Sequence, residues 1–531
     1  MNIINCKIQI YKEEAVIFKK QTLLQGAFVL MISGFINRTL GFGLRLILVR
    51  VIGDQGIGLF QMVFPIFITF SILATFGFSV AISKFVSERI SKNNYCEILK
   101  ILKIAVIFAV ITGSFFTVIL YFNAPFVANN ILNNAKTELL LKAIAPALFF
   151  VTIASMFRGF FQGLRMMAPT ATSQIIEQIT RIIVTLIVIK TLLDYQLKYQ
   201  VTGAALGISA GEGLGLLTLL FIFFKVKTDI IQQIQPTANT ETSWSLFKEL
   251  IKFGFPITIG KVVASLIYSL EAILIPARLQ AAGYSVSQAT SLYGQLSGMV
   301  LQIVHLPTII TVAVTSSLIP AVSEAISANN HQRFQDHYQQ ALRLTIYTGL
   351  PAAVIFFLLP EKICSILFGY PQAGSILQLF ALGAIFLYLL QILKGILQGL
   401  GSPNTVVINS IVGLVFEVVL IYFLVSQPNI GLNGAIIAIT IRFIVITILH
   451  FISIYRKVNL TLDLKQLILK PLLAASFLAI SLTPIYQYFW RLNQNNLLST
   501  ILAISIGMIG YLLILIITRG ITSKDINRIL N

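Results

Sequence analysis

Fourteen stretches of the chain are apolar over 20 residues or more. They fall at about 22–49, 57–82, 101–122, 139–163, 170–192, 201–224, 249–277, 292–319, 341–360, 376–400, 404–426, 431–454, 468–488 and 497–518. Apolar positions run on continuously in each, without the period-two alternation of a membrane β-barrel strand. About 20 apolar residues cross a bilayer as a helix, so the pattern predicts an all-α polytopic membrane protein with about 14 transmembrane helices. The most polar internal stretch, 225–247, follows the sixth run and reads as a cytoplasmic linker. The predicted organisation is an N-terminal lobe over 1–224 (helices 1–6), the linker, and a C-terminal lobe over 248–456 (helices 7–12). Helices 13 and 14 with a cytoplasmic tail occupy 457–531.

An internal repeat supports two six-helix lobes. Arg158–Leu164 (RGFFQGL) ends the fourth run and Lys394–Leu400 (KGILQGL) the tenth, each followed by a proline, Pro169 or Pro403. Their offset is 236. Thr202–Ala205 and Asn433–Ile436 open helices 6 and 12 at offset 231, and Ala81–Ser83 matches Ala321–Ser323 at 240. Six helices per repeat give both halves the same orientation. Gly159/Gly163 and Gly395/Gly399 are GxxxG pairs, which read first as close helix packing.

Composition agrees. Hydrophobic residues make up 57% of the 531 residues and charged residues 11%, where a soluble domain carries about 25% charged. The net charge of +19 reads as cytoplasmic Lys and Arg and attraction to anionic lipid, not as nucleic-acid binding. With the N-terminus inside, inner segments outnumber outer ones in Lys and Arg by about three to one, which predicts both termini in the cytoplasm. Lys7, Lys12, Lys19 and Lys20 make the N-terminus too charged for a signal-peptide core, so the first run reads as an uncleaved helix. Cys6, Cys96 and Cys364 are scattered and form no CxxC pair. No Walker A loop, HExxH, GxSxG or EF-hand pattern occurs, and the four histidines lack ligand spacing. The chain therefore reads as no enzyme, without cofactor or metal.

The remaining signal is charge inside the helices, where each mid-membrane ion costs at least about 2.5 kcal/mol on insertion scales. Arg38 and Arg45 lie seven residues apart on helix 1 and share a face. Two guanidinium groups so placed suit an anion between them, and the arginine fork suits phosphate. Helix 5 carries Glu177 and Arg181 at i,i+4, which can neutralise each other. Glu212 on helix 6 has no evident local partner. Lys261 and Glu271 lie on helix 7, Glu417 on helix 11 and Arg442 on helix 12. Glu271 and Glu417, both assigned to the second half, are candidates for Na⁺ or H⁺ coupling, with ion pairs to Lys261 or Arg442 as the structural alternative. His305 reads as a packed, hydrogen-bonded residue. Pro65, Pro256, Pro276 and Pro307 predict bent helices.

Several motifs resemble the stage V sporulation protein B family. They are Gly26–Leu30 (GAFVL), Asn37–Phe42 (NRTLGF), Ile52–Phe60 (IGDQGIGLF), Phe76–Glu88 (FGFSVAISKFVSE), Phe157–Gly163 (FRGFFQG), Ser173–Gln178 (SQIIEQ), Tyr293–Gly298 (YGQLSG) and Leu318–Glu324 (LIPAVSE). The resemblance covers about residues 20–455. It implies the multidrug/oligosaccharidyl-lipid/polysaccharide (MOP) exporter superfamily, near the MurJ-type lipid II flippases, with fourteen helices in two MATE-like lobes around a central cavity. It further implies translocation of an undecaprenyl-pyrophosphate-linked glycan, with the peptidoglycan precursor lipid II first, across the bacterial cytoplasmic membrane for cell-wall or spore-cortex synthesis. Arg38 matches the family's first-helix arginine, and Arg45 is one position off a second. A related sodium site involves helices 7 and 11. The expected substrate-binding set is Arg38, Arg45, Lys261, Arg158 and Lys394, the last two at the inner mouth. The expected partners are the lipid-linked glycan and membrane lipids, with cell-wall synthases alongside a monomeric carrier. The rival readings are an exporter of another lipid-linked oligosaccharide such as an O-antigen or exopolysaccharide unit, a multidrug cation antiporter, and a non-transporting cell-wall scaffold.

Overall fold

An apolar run in hydrocarbon satisfies its backbone only by closing its own hydrogen bonds as a helix. The computed structural model describes residues 23–92, 94–232, 241–458 and 463–520. Lys7, Lys12, Lys19 and Lys20, Cys6, residues 233–240 of the polar stretch, Lys524 and Arg528 lie outside the described residues. The main helices are α1 (Leu23–Thr75), α2 (Phe78–Ser91), α3 (Tyr95–Phe122), α4 (Glu138–Gly163), α5 (Ala168–Thr191), α6 (Leu197–Gln232), α7 (Ser243–Ala281) and α8 (Val286–Tyr293). They continue with α9 (Thr308–Ser327), α10 (His331–Leu358), α11 (Pro360–Phe368), α12 (Gly374–Gly399), α13 (Pro403–Leu424), α14 (Leu432–Tyr455), α15 (Lys470–Asn493) and α16 (Asn496–Ile517).

Among the described residues thirteen helical segments are long and apolar enough to span a membrane, and the first, Phe28–Ser91, has 64 residues. That length is two crossings, so about fourteen spans stand. The break between them is Gly53, at φ 70° inside α1, a conformation glycine adopts without steric cost. A second break, at Phe76 and Gly77, cuts the expected second helix into the end of α1 and the start of α2. The expected eighth helix is also broken. α8 runs through a π-helical segment, Gly294–Val300, into Leu301–Val304, and α9 begins after Pro307. Side chains cap several starts. Asn94, Asn330 and Asn495 accept the N–H of Glu97, Arg333 and Leu498, and Ser285 with Gln288 forms a reciprocal capping box on α8.

By contacts the chain divides into two units, 1–52 with 59–272, and 53–58 with 273–531. The boundary falls inside α7, whereas the polar pattern places the linker at 225–247. Two contacts hold the early part of α7 in the first unit. Ser265 and Ser269 hydroxyls meet Thr69 at 3.1 and 2.9 Å, and Ser269 also reaches the Pro65 carbonyl. At the start of α7 the buried Arg89 guanidinium collects Glu97 (2.8 Å), Glu241 (2.9 Å) and Glu249 (3.2 Å). The second unit contains segment 53–58, whose Asp54 carboxylate accepts from Gln295 (2.8 Å) and whose Asp54 N–H donates to the Tyr370 hydroxyl (3.1 Å). There α15 and α16 pack against α10 and α11. Tyr511 donates to the Tyr347 carbonyl, and Tyr347 donates to Gln466 and Gly520 carbonyls.

Each unit repeats one packing motif. Gly159 and Gly163 of α4 lie on α2 at Ser79 and at Ser83 with Val86, so close that a Cβ at Gly159 would sit 2.3 Å from the Ser79 carbonyl oxygen. Gly395 and Gly399 of α12 lie on α9 at Thr315 and at Ile319 with Val322. All five residues of the second group follow their counterparts by 236 positions. The contacts therefore replace the offset of 240 suggested by Ala81–Ser83 with 236. The GxxxG pairs are packing faces.

The helical hairpins bury their polar residues by the same means. α6 presents Gly203, Gly207, Gly211 and Gly215 at four-residue spacing, one face of a helix. Against it lie Ser173, Glu177, Arg181 and Thr185 of α5, also four apart. Added Cβ atoms at Gly207 and Gly211 would meet the Thr185 hydroxyl at 1.9 Å and the Glu177 carbonyl at 2.7 Å. In the second unit α13 and α14 run antiparallel, pairing Asn409 with His450 (2.9 Å), Gly413 with Ile446, and Glu417 with Arg442 (3.0 Å).

Two outcomes are expected in thermal unfolding of the purified chain. Gly211→Val lowers stability by about 1–3 kcal/mol through overpacking, whereas Gly34→Ala, with nothing within 4 Å, leaves it unchanged or slightly higher. Arg442→Met alone costs about 3–5 kcal/mol by stranding the Glu417 charge, and Glu417→Leu added to it restores most of that loss.

Candidate functional site

On α1, Ser33, Asn37, Gly41 and Arg45 recur every four residues and form one stripe. Within the first unit this stripe meets Gln174 and Gln178 of α5. Ser33 donates to Gln174 Oε1 at 3.4 Å, and the Gln178 amide lies 3.6 Å from where a Gly41 Cβ would sit. Arg45 is half-buried. Its Nη2 reaches Gln61 Oε1 at 3.5 Å, while Nη1 is buried and donates to no group. Arg38, one position off the stripe, is exposed. No ion pair or side-chain hydrogen bond engages it among the described residues. Arg38 and Arg45 therefore belong to one helix but to different environments, one open and one half-closed.

Lys261 of α7 and Lys394 of α12 are also exposed, and neither forms an ion pair among the described residues. Arg38, Arg45 and Lys261 fall in the first unit and Lys394 in the second. A lipid-facing cation without a counter-charge is expensive in hydrocarbon, so such side chains face water, headgroups or an anionic ligand.

Arg158 does not fit the anion-capturing role expected for it. Its Nη2 donates to Glu177 Oε2 at 2.8 Å, and Glu177 Oε1 accepts from Arg181 at 2.7 Å. Glu212, 6% exposed, lies 3.9 Å from Arg158 and 3.7 Å from Arg181. Two arginines and two glutamates from α4, α5 and α6 thus balance one another. The i,i+4 pairing of Glu177 with Arg181 is as read from the sequence. The partners of Glu212 were hidden there because Arg158 and Arg181 lie on other helices. The signal that could have exposed them is the four-glycine face of α6 matched to the four-residue polar stripe of α5.

The two carboxylates expected to bind a coupling ion separate as well. Glu417, 1% exposed, is held by Arg442 at 3.0 Å, which is the structural alternative weighed from the sequence. Glu271 is buried, and it clusters with the first unit, not with Glu417 in the second. His305 is hydrogen-bonded as expected, with Nδ1 at 2.5 Å from the Leu301 carbonyl. The Arg89 node, which gathers Glu97 from eight residues on and Glu241 and Glu249 from 152 and 160 residues on, gave no sequence signal. Among the described residues no group of three or more His, Cys, Asp or Glu side chains gathers to hold a metal ion.

Comparison with known proteins places this geometry. The pattern of the family described as "Polysaccharide biosynthesis protein" matches residues 23–326, more than half of the chain. The MatE pattern matches 297–423. The chain is 29% identical over 512 residues to stage V sporulation protein B of Bacillus subtilis (strain 168), covering 96% of this chain and 98% of that one. It is 29% identical over 461 residues to the lipid II flippase MurJ of the same organism, with 82% of each covered. Among solved structures, lipid II flippase MurJ in an inward closed conformation superposes with a TM-score of 0.68 at 18% identity, covering 92% of this chain and 99% of that one. An inward-facing MATE-family multidrug transporter of the MOP superfamily gives 0.66 at 17% identity, covering 81% and 98%. These likenesses show a MATE-like fold, in a multi-pass membrane protein. The chain belongs to the polysaccharide biosynthesis protein family.

Proposed function

We propose that the chain is a flippase for an undecaprenyl-pyrophosphate-linked glycan, lipid II first among them. It would move the headgroup from the cytoplasmic to the outer leaflet of a bacterial cytoplasmic membrane by alternating access, with both termini in the cytoplasm. The observation that carries this reading is Arg38, an exposed arginine on the first membrane helix with no ion pair among the described residues. A pyrophosphate supplies what such a guanidinium lacks, a dianionic acceptor for bidentate hydrogen bonds. Half-buried Arg45 keeps Nη1 free of any hydrogen bond and can add a second donor. Lys261 and Lys394 offer further unneutralised charge for capture or release. Arg158 is left out because Glu177 holds it.

The relatives give the same direction. Stage V sporulation protein B and a lipid II flippase each match over more than four fifths of the chain. The work is transport, with no bond made or broken, and the lipid tail stays in the bilayer throughout. Synthases that polymerise the delivered glycan are the class of enzyme that must follow. Glu417 is not used as an ion carrier in this reading, since a coupling cation would have to displace the Arg442 guanidinium. The multidrug-cation reading is disfavoured by the charge of Arg38 and Arg45, which would repel a cationic drug.

The test is rescue of a bacterium depleted of its lipid II flippase, with variants matched for expression. Wild type is expected to restore growth and Arg38→Ala to fail, while Arg38→Lys, which keeps charge but loses the fork, rescues partially. Failure of the wild type despite normal membrane insertion would transfer the proposal to another lipid-linked glycan. Purified protein should also bind a polyprenyl-pyrophosphate glycan less tightly after Arg38→Ala. The loss of a charged hydrogen bond is worth about 1.5–3 kcal/mol, or roughly 10- to 150-fold. Equal affinity would remove Arg38 from the site.

A further inference from the structure

Glu212 is the least satisfied carboxylate of the buried cluster in the first unit. It lies on the glycine face of α6 and is 6% exposed. The guanidinium atoms nearest to it, Arg158 Nη2 and Arg181 Nη2, are 3.9 and 3.7 Å away, beyond hydrogen-bond length. Both of those atoms already donate to Glu177, at 2.8 and 2.7 Å. Glu212 Oε2 is buried and accepts no hydrogen bond. Arg158 Nε and Arg181 Nε are buried and donate none. The cluster thus contains one carboxylate hydrogen-bonded to both arginines, one that faces them at ion-pair distance with an oxygen unbonded, and two donors in reserve.

A buried carboxylate oxygen that accepts no hydrogen bond is costly when charged and less so when protonated. We propose that Glu212 is a proton-binding site: a proton from water binds its carboxylate in the arrangement seen, and its release turns one arginine from Glu177 toward Glu212. The elements packed against α6 here are α4 and α5. From α4 Arg158 faces the site, and from α5 Glu177 and Arg181. The two arginines favour the charged form of Glu212. Burial and the neighbouring Glu177 carboxylate favour the neutral form. With the proton the cluster carries one positive charge, and without it none. The inference uses only the first unit, and it stands whether or not the cargo is a lipid-linked glycan.

Infrared difference spectroscopy of the full chain in lipid bilayers, recorded across pH, reads this site directly. The expected result is a carbonyl band of a buried protonated carboxylic acid that shifts in D₂O, disappears as pH rises and is missing from Glu212→Gln. Glu417→Gln should retain it. Glu177→Gln leaves both arginines to Glu212, so its band should vanish at a lower pH than in the wild type. If Glu212→Gln does not fold, the wild type and Glu177→Gln still decide. A wild-type spectrum with no titrating acid band, a band that survives in Glu212→Gln, or one unmoved in Glu177→Gln would overturn the assignment.

Discussion

A buried charge in hydrocarbon must find its counter-charge inside the protein, and this requirement organises both units. The attraction that answers it is short-ranged in effect, because it must also repay the loss of water around each ion. Helices therefore have to approach closely wherever charge is buried. In the first unit the four glycines of α6 bring its backbone against α5, and Glu177 and Glu212 then meet Arg158 and Arg181. In the second unit Gly413 of α13 lies against Ile446 of α14, one turn from the Glu417–Arg442 pair. The glycine is what makes room, and the ion pair is what the room is used for.

The same requirement separates structural cations from available ones. Arg89, 5% exposed, is enclosed by Glu97, Glu241 and Glu249. Arg158, Arg181 and Arg442 are likewise matched to carboxylates. Arg38, Lys261 and Lys394 are exposed and, like the half-buried Arg45, form no ion pair among the described residues. For this reason the proposed function rests on Arg38, although an arginine count would have given Arg158 equal weight.

Much of this fold was legible in the sequence because membrane helices are written in long, local hydrophobic runs. Fourteen runs, the repeat and the GxxxG packing faces are all features of one segment or of two segments at a fixed offset. What was not legible depends on which helix lies beside which. The breaks at Gly53 and at Phe76–Gly77 fall inside continuous apolar sequence, so hydropathy alone runs through them. Glu212 looked solitary since its partners are 31 and 54 residues away on α5 and α4. The pairing of Arg89 with Glu241 spans more than 150 residues and leaves no periodic trace. Glu271 was grouped with Glu417 by chain position, whereas α7 takes its contacts from the first unit until residue 272.

The repeat then explains why two equivalent cations differ in availability. Arg158 and Lys394 occupy the same place, 236 positions apart, each opening the motif that packs on α2 or on α9. At that offset the residue corresponding to Glu177, which neutralises Arg158, is Gly413. The second unit thus has no acid where the first has one, and Lys394 is left exposed. The position of Arg181 likewise corresponds to Glu417, so the sign of the buried charge on this hairpin is reversed between the halves. Arg181 finds its counter-charge on its own helix, four residues back, whereas Glu417 finds it across the hairpin on α14. One backbone arrangement therefore carries two charge patterns. The first unit has a closed cluster with an acid to spare, and the second has a closed pair with a lysine to spare. A symmetric scaffold could present an anionic cargo with the same surface twice. This one leaves an exposed arginine on α1 of the first unit and an exposed lysine on α12 of the second, so the two halves differ in the charge they leave open.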